Sequence, residues 1–485
     1  MDLDGTLVKS DTLLDTVLVL ARQSPRSLLR FPHWIVQGKA AFKREVSSVV
    51  ALDVAHLPYN HPLLQYLRQQ HAAGHEIYLA TGADDLLAQR VAAHLGIFTG
   101  VLASDGTLNL TGHNKLTAFQ QRFPAGFSYI GNSRPDLPLL THSVHPMVAN
   151  PSHGLSAALH SASVQPTRAF TDKAPPIKAW LRAIRLHQWA KNTLIFLPLL
   201  LAHVRAAGPA VASLLAFLSF GLAASATYIF NDLLDLEADR HHPRKSSRPF
   251  AAGDLSPIAG AVTILLFLAL SLALALLLPR VLTALSPQFP WNGQGRFIEW
   301  LVLYAISTTI YSLRLKRMVL VDVMVLACLY TIRILAGSAA AGVMVSPWLA
   351  AFSIFFFLSL AFVKRFSELE SVSLRSDPSE TLTVKGRNYR VSDLEQLRSF
   401  GTASGYASVV IFALYIGNEV AQNLYPHHSR LWLLVPVLLL WLSRLWLKAS
   451  RGELEEDPVV YAITDRRSLQ LGVVVLVIVL SALLR

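Results

Sequence analysis

Charge is scarce in this chain. Of 485 residues, only 15% are Asp, Glu, Lys or Arg, against roughly 25% in soluble proteins. That deficit excludes a wholly soluble globular protein. Cysteine is nearly absent as well. Cys328 stands alone inside an apolar run, so no intrachain disulfide framework is possible. The opening residues lack the basic, apolar and small-residue pattern of a secretory signal. The two halves show no internal repeat, which argues against an alternating-access transporter.

What is present is hydrocarbon. Hydrophobic residues make up 53% of the chain and the mean hydropathy is +0.42. Residues 1 to about 177 read as soluble sequence, with charges and prolines throughout. Beyond them, apolar runs long enough to cross a bilayer fall at roughly 188–206, 211–230, 258–279, 298–312, 319–340, 347–363, 403–419, 430–447 and 469–484. The expectation is therefore two domains, a soluble one followed by an all-α bundle of about nine transmembrane helices. The net charge is +12, but the basic residues cluster between apolar runs. The positive-inside rule explains that clustering better than nucleic-acid binding does. Arg240, Arg244, Lys245 and Arg248 follow the second run. Arg314, Lys316 and Arg317 follow the fourth, and Lys364 and Arg365 open the loop after the sixth. These connections and the soluble domain are expected on the cytoplasmic side of the inner (cytoplasmic) membrane, with the C-terminus opposite. The stretch from Lys178 to Trp189 mixes Trp, Leu and Ile with Lys and Arg. It reads either as an interfacial helix or as the plain start of the first span.

The most informative segment runs from Asn231 to Gly253. Asn231, Asp235 and Asp239 recur every four residues, so a helix stacks them on one face. Carboxylates beside hydrocarbon are costly and usually functional. Like groups in a row repel unless a cation sits among them, and Mg2+ is bound by carboxylates together with substrate phosphates. Arg240, Lys245 and Arg248 follow directly and suit phosphate oxygens. A second cluster holds Tyr311, Lys316, Asp322 and Arg333. Asp322 and Arg333 lie within an apolar run, so they either face a polar cavity or pair with each other. Lys191 either snorkels or serves as an anion ligand.

The pattern Asn-Asp-x-x-Asp-x-x-x-Asp followed by Arg-Pro-x-x-x-Gly resembles the UbiA superfamily of intramembrane prenyltransferases. His-Gln-Trp-x-Lys-Asn, the Asp239-Arg-x-His-Pro-x-Lys stretch and Tyr-Ser-x-x-Leu-Lys resemble its polyprenyl-phosphate phosphoribosyltransferase branch, over roughly residues 180–485. The resemblance implies Mg2+ at Asn231, Asp235 and Asp239. It implies phosphate or substrate contacts from Lys191, Arg240, Lys245, Arg248, Tyr311, Lys316, Asp322 and Arg333. The substrates it implies are phosphoribosyl diphosphate and a polyprenyl phosphate. One departure supports that branch: four residues after Asp322 stands Leu326, so the second carboxylate pair common in ordinary prenyltransferases is missing. The alternative is transfer of a prenyl group from a prenyl diphosphate to an aromatic or other acceptor.

The soluble half opens Met1-Asp2-Leu3-Asp4-Gly5-Thr6, which resembles the first motif of the haloacid dehalogenase (HAD) phosphohydrolases. Thr81 after an apolar strand, Lys115, and Asn132 to Asp136 resemble the later motifs in order. The resemblance implies an α/β domain over residues 1–170 with a helical cap over about 11–70, and a linker at 171–177. It implies Asp2 as nucleophile and Asp4 as acid and base, with substrate contacts from Thr81 and Lys115. Mg2+ would be held by Asp2, Asp4 and Asp136. Asn132 replaces the first acid of the fourth motif, and the apolar strand that normally precedes the first Asp is missing. Either the true start lies upstream or the sheet lacks most of its central strand, and the domain is either a working phosphatase or a degenerate one kept for structure or regulation. If it works, the paired activity would remove the 5-phosphate of the lipid product and leave a precursor for cell-envelope glycans.

Overall fold

The computed structural model describes residues 1–287, 296–344, 346–373, 387–454 and 457–484. It divides into two compact units. One comprises Met1–Arg185 with Tyr228–Leu265, and the other Leu186–Thr227 with Leu266–Arg485. The carboxylate segment thus packs as part of the soluble unit.

In that unit, five short strands pair in parallel: β1 (Tyr78–Asp84), β2 (Gly100–Ser104), β3 (Tyr129–Gly131), β4 (Pro146–Ala149) and β5 (Arg168–Phe170). One sheet orders β1-β2 and the other β3-β4-β5. β1, β3 and β4 are largely buried, as expected of strands covered by helices on both faces. The Met1–Leu3 segment lies between the two sheets. Ala80 N donates to Met1 O at 2.8 Å, and Asp2 N donates to Ile130 O at 3.0 Å. Met1–Leu3 thus hold the central position between β1 and β3. This sets Asp2 in the crevice where the two sheets meet, the usual ligand position of an open α/β sheet. The region between Asp2 and β1 is helical, as expected for the cap, with helices at Thr12–Gln23, Phe31–Val36, Lys39–Val49 and His61–Ala72.

In the apolar half, seven helices among the described residues are long and apolar enough to cross a membrane: Ala207–Leu234, Pro257–Leu285, Val321–Ala341, Pro347–Ser371, Val391–Ile416, His428–Ser450 and Arg466–Leu483. The expected count of nine is not reached among the described residues, and two runs account for the difference. The run at 188–206 breaks into a 3-10 stretch, Leu186–Phe196, and a short helix, Leu197–Leu201. Pro198 has no N–H to continue a helix entering from the preceding turns. The run at 298–312 does form a helix, Arg296–Leu313, but it carries Arg296, Glu299, Ser307, Thr308 and Thr309. The Pro347–Ser373 helix also runs past the expected end. Lys364 and Arg365 therefore lie on the helix and do not open a loop. The Pro176–Ile184 helix ends at Arg185, whose left-handed φ of 55° separates it from the next segment. Its Ile177 and Leu181 are exposed, which favours the interfacial reading over a continuous span.

Candidate active sites

The Ala207–Leu234 helix carries Asn231 on its last turn, and a second helix, Leu236–Arg240, follows with Asp235 at its start. The break does not destroy the register. Asp235 N donates to Asn231 O at 2.9 Å and Asp239 N to Asp235 O at 2.8 Å. The four-residue stacking read from the sequence therefore survives. The donor set, one amide and two carboxylates on one face, fits a hard divalent cation. Guanidinium groups meet these acids. Asp235 lies 2.7 Å from Arg22, and Asp239 lies 2.6 Å from Arg248. Burial raises the pKa of Asp239, which Arg248 opposes.

Asp232 was not singled out in the sequence. It is buried and bonded to Arg185 at 2.5 Å and Arg248 at 3.1 Å. It anchors the arginine that also serves Asp239. Arg240 departs from its expected role. It is one residue beyond Asp239, so it points about 100° away around the helix. Its guanidinium is buried against Asp15 at 2.8 Å, with Ser10 at 3.1 Å and Ala251 O at 3.1 Å. Lys245 is exposed. Gly253 closes the segment at φ 71°. A Cβ there would sit 2.9 Å from that of Lys9, so the glycine of the Arg-Pro-x-x-x-Gly pattern is sterically required.

In the other unit, Asp322 and Arg333 do not pair. They stand about three turns apart on one helix, or ~16 Å. Asp322 is fully buried and bonds Arg365 and Tyr389. Arg365 in turn donates to Tyr311 OH at 2.8 Å and Glu368 at 2.8 Å. Tyr311 and Asp322 thus belong to one satisfied network. Arg333 donates to Asn192 at 2.9 Å and Tyr304 at 3.2 Å. Lys191 reaches Asp457 at 2.8 Å, and Lys364 reaches the same oxygen at 2.9 Å. Lys191 is therefore held inward and does not snorkel. Asp457 was missed, although it caps the short helix Pro458–Thr464 beside an acidic run visible in the sequence. Lys316 lies in the 3-10 turn Leu315–Arg317.

The soluble site assembles as the motifs predict, with one exception. Asp2, Asp4, Lys115, Asn132 and Asp136 line a cavity of about 370 Å³. Lys115 lies 2.9 Å from Asp2 and 3.8 Å from Asp136. Tyr129 OH donates to Asp136 at 2.8 Å. Asn132 Oδ1 is buried without a partner among the described residues, a carbonyl oxygen that suits a cation ligand. Burial lifts Asp2, against the pull of Lys115. Burial lifts Asp4 to about 7, aided by repulsion from Asp11 and Asp2. The exception is Thr81, whose hydroxyl accepts from Ala83 N at 3.0 Å and does not line the cavity. Lys43, from the helical cap, does line it and was missed. It donates to Gly82 O at 2.5 Å and Asn109 at 2.9 Å, and burial lowers its pKa.

Comparison with known proteins follows the same division. Residues 193–464 match the model of the UbiA prenyltransferase family, more than half of the chain. The chain belongs to the UbiA prenyltransferase family. Residues 1–141 match that of the haloacid dehalogenase-like hydrolases, so a HAD-like domain precedes the UbiA region. A relative from Sinorhizobium fredii, named uncharacterized protein y4nM, is 38% identical over 98% of this chain and 89% of its own length. The fused arrangement is therefore shared. A decaprenyl-phosphate phosphoribosyltransferase of Mycobacterium tuberculosis is 35% identical over 39% of this chain and 59% of its own length. A UbiA homolog from Archaeoglobus fulgidus, solved with DMAPP and Mg2+, aligns at 18% identity and a TM-score of 0.43, covering 62% of this chain and 97% of that one. As a UbiA protein the chain is a membrane-embedded, multi-pass transferase, hence an enzyme.

Proposed function

We propose that this UbiA protein transfers 5-phosphoribose from phosphoribosyl diphosphate to a polyprenyl phosphate, and that its HAD-like domain removes the 5-phosphate of the product. The observation that carries the reading is the preserved Asn231, Asp235 and Asp239 face in a chain with mycobacterial phosphoribosyltransferase relatives. These three residues would hold Mg2+, which supplies charge neutralisation for a departing diphosphate. The lipid phosphate oxygen bonds to the anomeric carbon, and the carbon–oxygen bond to diphosphate breaks with its electron pair. The nucleophile is already an anion, so no general base is needed. Lys191, Lys245, Arg248 and Lys316 are assigned phosphate contacts, and Arg333 a weaker polar one. Arg240, Tyr311 and Asp322 are assigned to packing, because each is consumed by buried partners.

In the HAD-like domain, Asp2 attacks the 5-phosphate and Lys115 balances its charge. Asp4, with its pKa lifted to about 7, retains a proton for the leaving sugar oxygen near neutral pH. Asp2, Asp136 and the Asn132 carbonyl would hold a second Mg2+. The Lys- and Arg-rich connections support a cytoplasmic location for both sites, in the inner membrane.

The test is a membrane assay with Mg2+, labelled phosphoribosyl diphosphate and a polyprenyl phosphate. Labelled lipid is expected, and it should vanish in Asp235→Ala. In Asp2→Asn the lipid should form but keep its 5-phosphate. A folded preparation that makes no labelled lipid, yet consumes a prenyl diphosphate with an aromatic acceptor, overturns the assignment.

A further inference from the structure

Asp53, His56 and His241 bring three candidate ligand atoms to within 4.8 Å of one another. Two loops far apart in sequence supply them. Asp53 caps, and His56 ends, the 3-10 turn Val54–His56 of the HAD-like domain. His241 follows directly on the Leu236–Arg240 helix of the carboxylate segment. All three belong to the same compact unit.

The geometry restricts the ring protons. His241 Nδ1 lies 2.8 Å from Glu237 O. A carbonyl can only accept, so Nδ1 carries the hydrogen. A neutral His241 therefore presents the Nε2 lone pair outward. That nitrogen lies 2.7 Å from Asp53 Oδ2, and His56 Nδ1 lies 2.7 Å from the same oxygen. The two rings stack with centroids 4.1 Å apart. A lone pair facing a carboxylate oxygen at this distance repels it unless a cation, either a proton or a metal ion, mediates. A proton on His241 answers this, with neutral His56 donating its Nδ1 hydrogen to Asp53; a metal ion held by both rings answers it equally. Fixing one ring nitrogen on a backbone carbonyl is also the usual way a metal-binding histidine is oriented. In addition, Asp53 Oδ1 accepts from Ala55 N at 2.9 Å, which holds the carboxylate while Oδ2 faces the rings.

We propose that Asp53, His56 and His241 bind a transition-metal ion of the Zn2+ class that ties the carboxylate segment to the HAD-like domain. Two imidazoles and one carboxylate favour Zn2+, Ni2+ or Cu2+ over Mg2+. This set supplies three ligands of a tetrahedron, and water supplies the fourth. Donor atoms of such a site stand about 3.3 Å apart, so the two contacts of 2.7 Å need to open by about 0.6 Å. The ion's place is structural. It fixes the loop two residues after Asp239 to a turn of the soluble domain, away from the cavity that holds Asp2.

The probe is Co2+ titrated into the purified full-length protein in detergent with excess Mg2+, which fills oxygen-rich carboxylate sites. The wild type should show the intense visible band of four-coordinate Co2+, saturating at about one equivalent and bleached by Zn2+. Zn2+ should also raise the thermal midpoint. His56→Ala should lose both responses while keeping its unfolding cooperativity. His56→Cys, a substitution to another Zn2+ ligand, should retain them. Equal Co2+ titrations in wild type and His56→Ala would overturn the proposal. So would a wild type with no four-coordinate band, leaving an imidazolium–carboxylate cluster only.

Discussion

Arg22, at the end of a soluble-domain helix, lies 2.7 Å from Asp235 on the carboxylate face. The same guanidinium donates to Leu234 O at 3.0 Å. A metal ion reaching Asp235 must compete with this arginine.

Both side chains of that pair are about a third exposed, which limits its worth to about 1 kcal/mol. Arg22→Ala should therefore lower the Mg2+ concentration for half-maximal transfer by up to about fivefold. The measurement is a Mg2+ titration of labelled-lipid formation. An unchanged or higher requirement would mean that Arg22 does not compete for Asp235.

Arg240 and Asp15 form a buried pair at 2.8 Å. Removing one partner strands a buried charge, at about 3–5 kcal/mol. Arg240→Met should destabilise the soluble unit by that order in a thermal or proteolysis assay. Arg240→Met with Asp15→Leu should recover a large part of it. A phosphate-binding Arg240 would instead show a raised KM with normal stability.

Burial places the Asp4 pKa near 7, against 3.8 for an ordinary aspartate. A group raised on folding favours the folded state fully below its unfolded value, and that contribution is lost as pH rises through about 7. Asp4→Asn keeps an oxygen to accept from Thr12. It should match the parent's stability below about pH 4 and exceed it above pH 7, by up to about 4 kcal/mol. Thermal unfolding of both proteins across that range is the check. Phosphatase turnover in the parent should fall as pH rises past 7, when the acid is lost.

Lys191 shares Asp457 with Lys364. Lys191→Met leaves that carboxylate paired, so the fold should hold. A charged hydrogen bond to phosphate is worth about 1.5–3 kcal/mol. The KM for one of the two anionic substrates should accordingly rise by about 10- to 100-fold. Unchanged KM values for both would reduce Lys191 to a structural partner of Asp457.

Much of the site was readable because helical spacing is local. Asn231, Asp235 and Asp239 share a face whenever i, i+4 bonding holds, and the observed backbone bonds keep it. The HAD motifs were readable for a similar reason, since each is a strand end feeding a loop. What stayed hidden was partner choice. Asp232 and Asp457 look like neighbours of the motifs until Arg185, Lys191 and Lys364 arrive from distant segments. The run at 188–206 was misread as one continuous span because hydropathy ignores where a proline interrupts the hydrogen-bond ladder.

The sequence by itself determined the two-part character of the chain, the carboxylate face and the order of the phosphatase-like motifs. Composition, helical period and short motifs are properties of adjacent residues. The tertiary structure decided which charges are spent on packing. It turned Arg240 inward to Asp15, tied Asp322 to Arg365 and Tyr389, and set His241 against Asp53 and His56. A buried charge must find a partner wherever the fold provides one, and sequence separation places no limit on where that partner comes from.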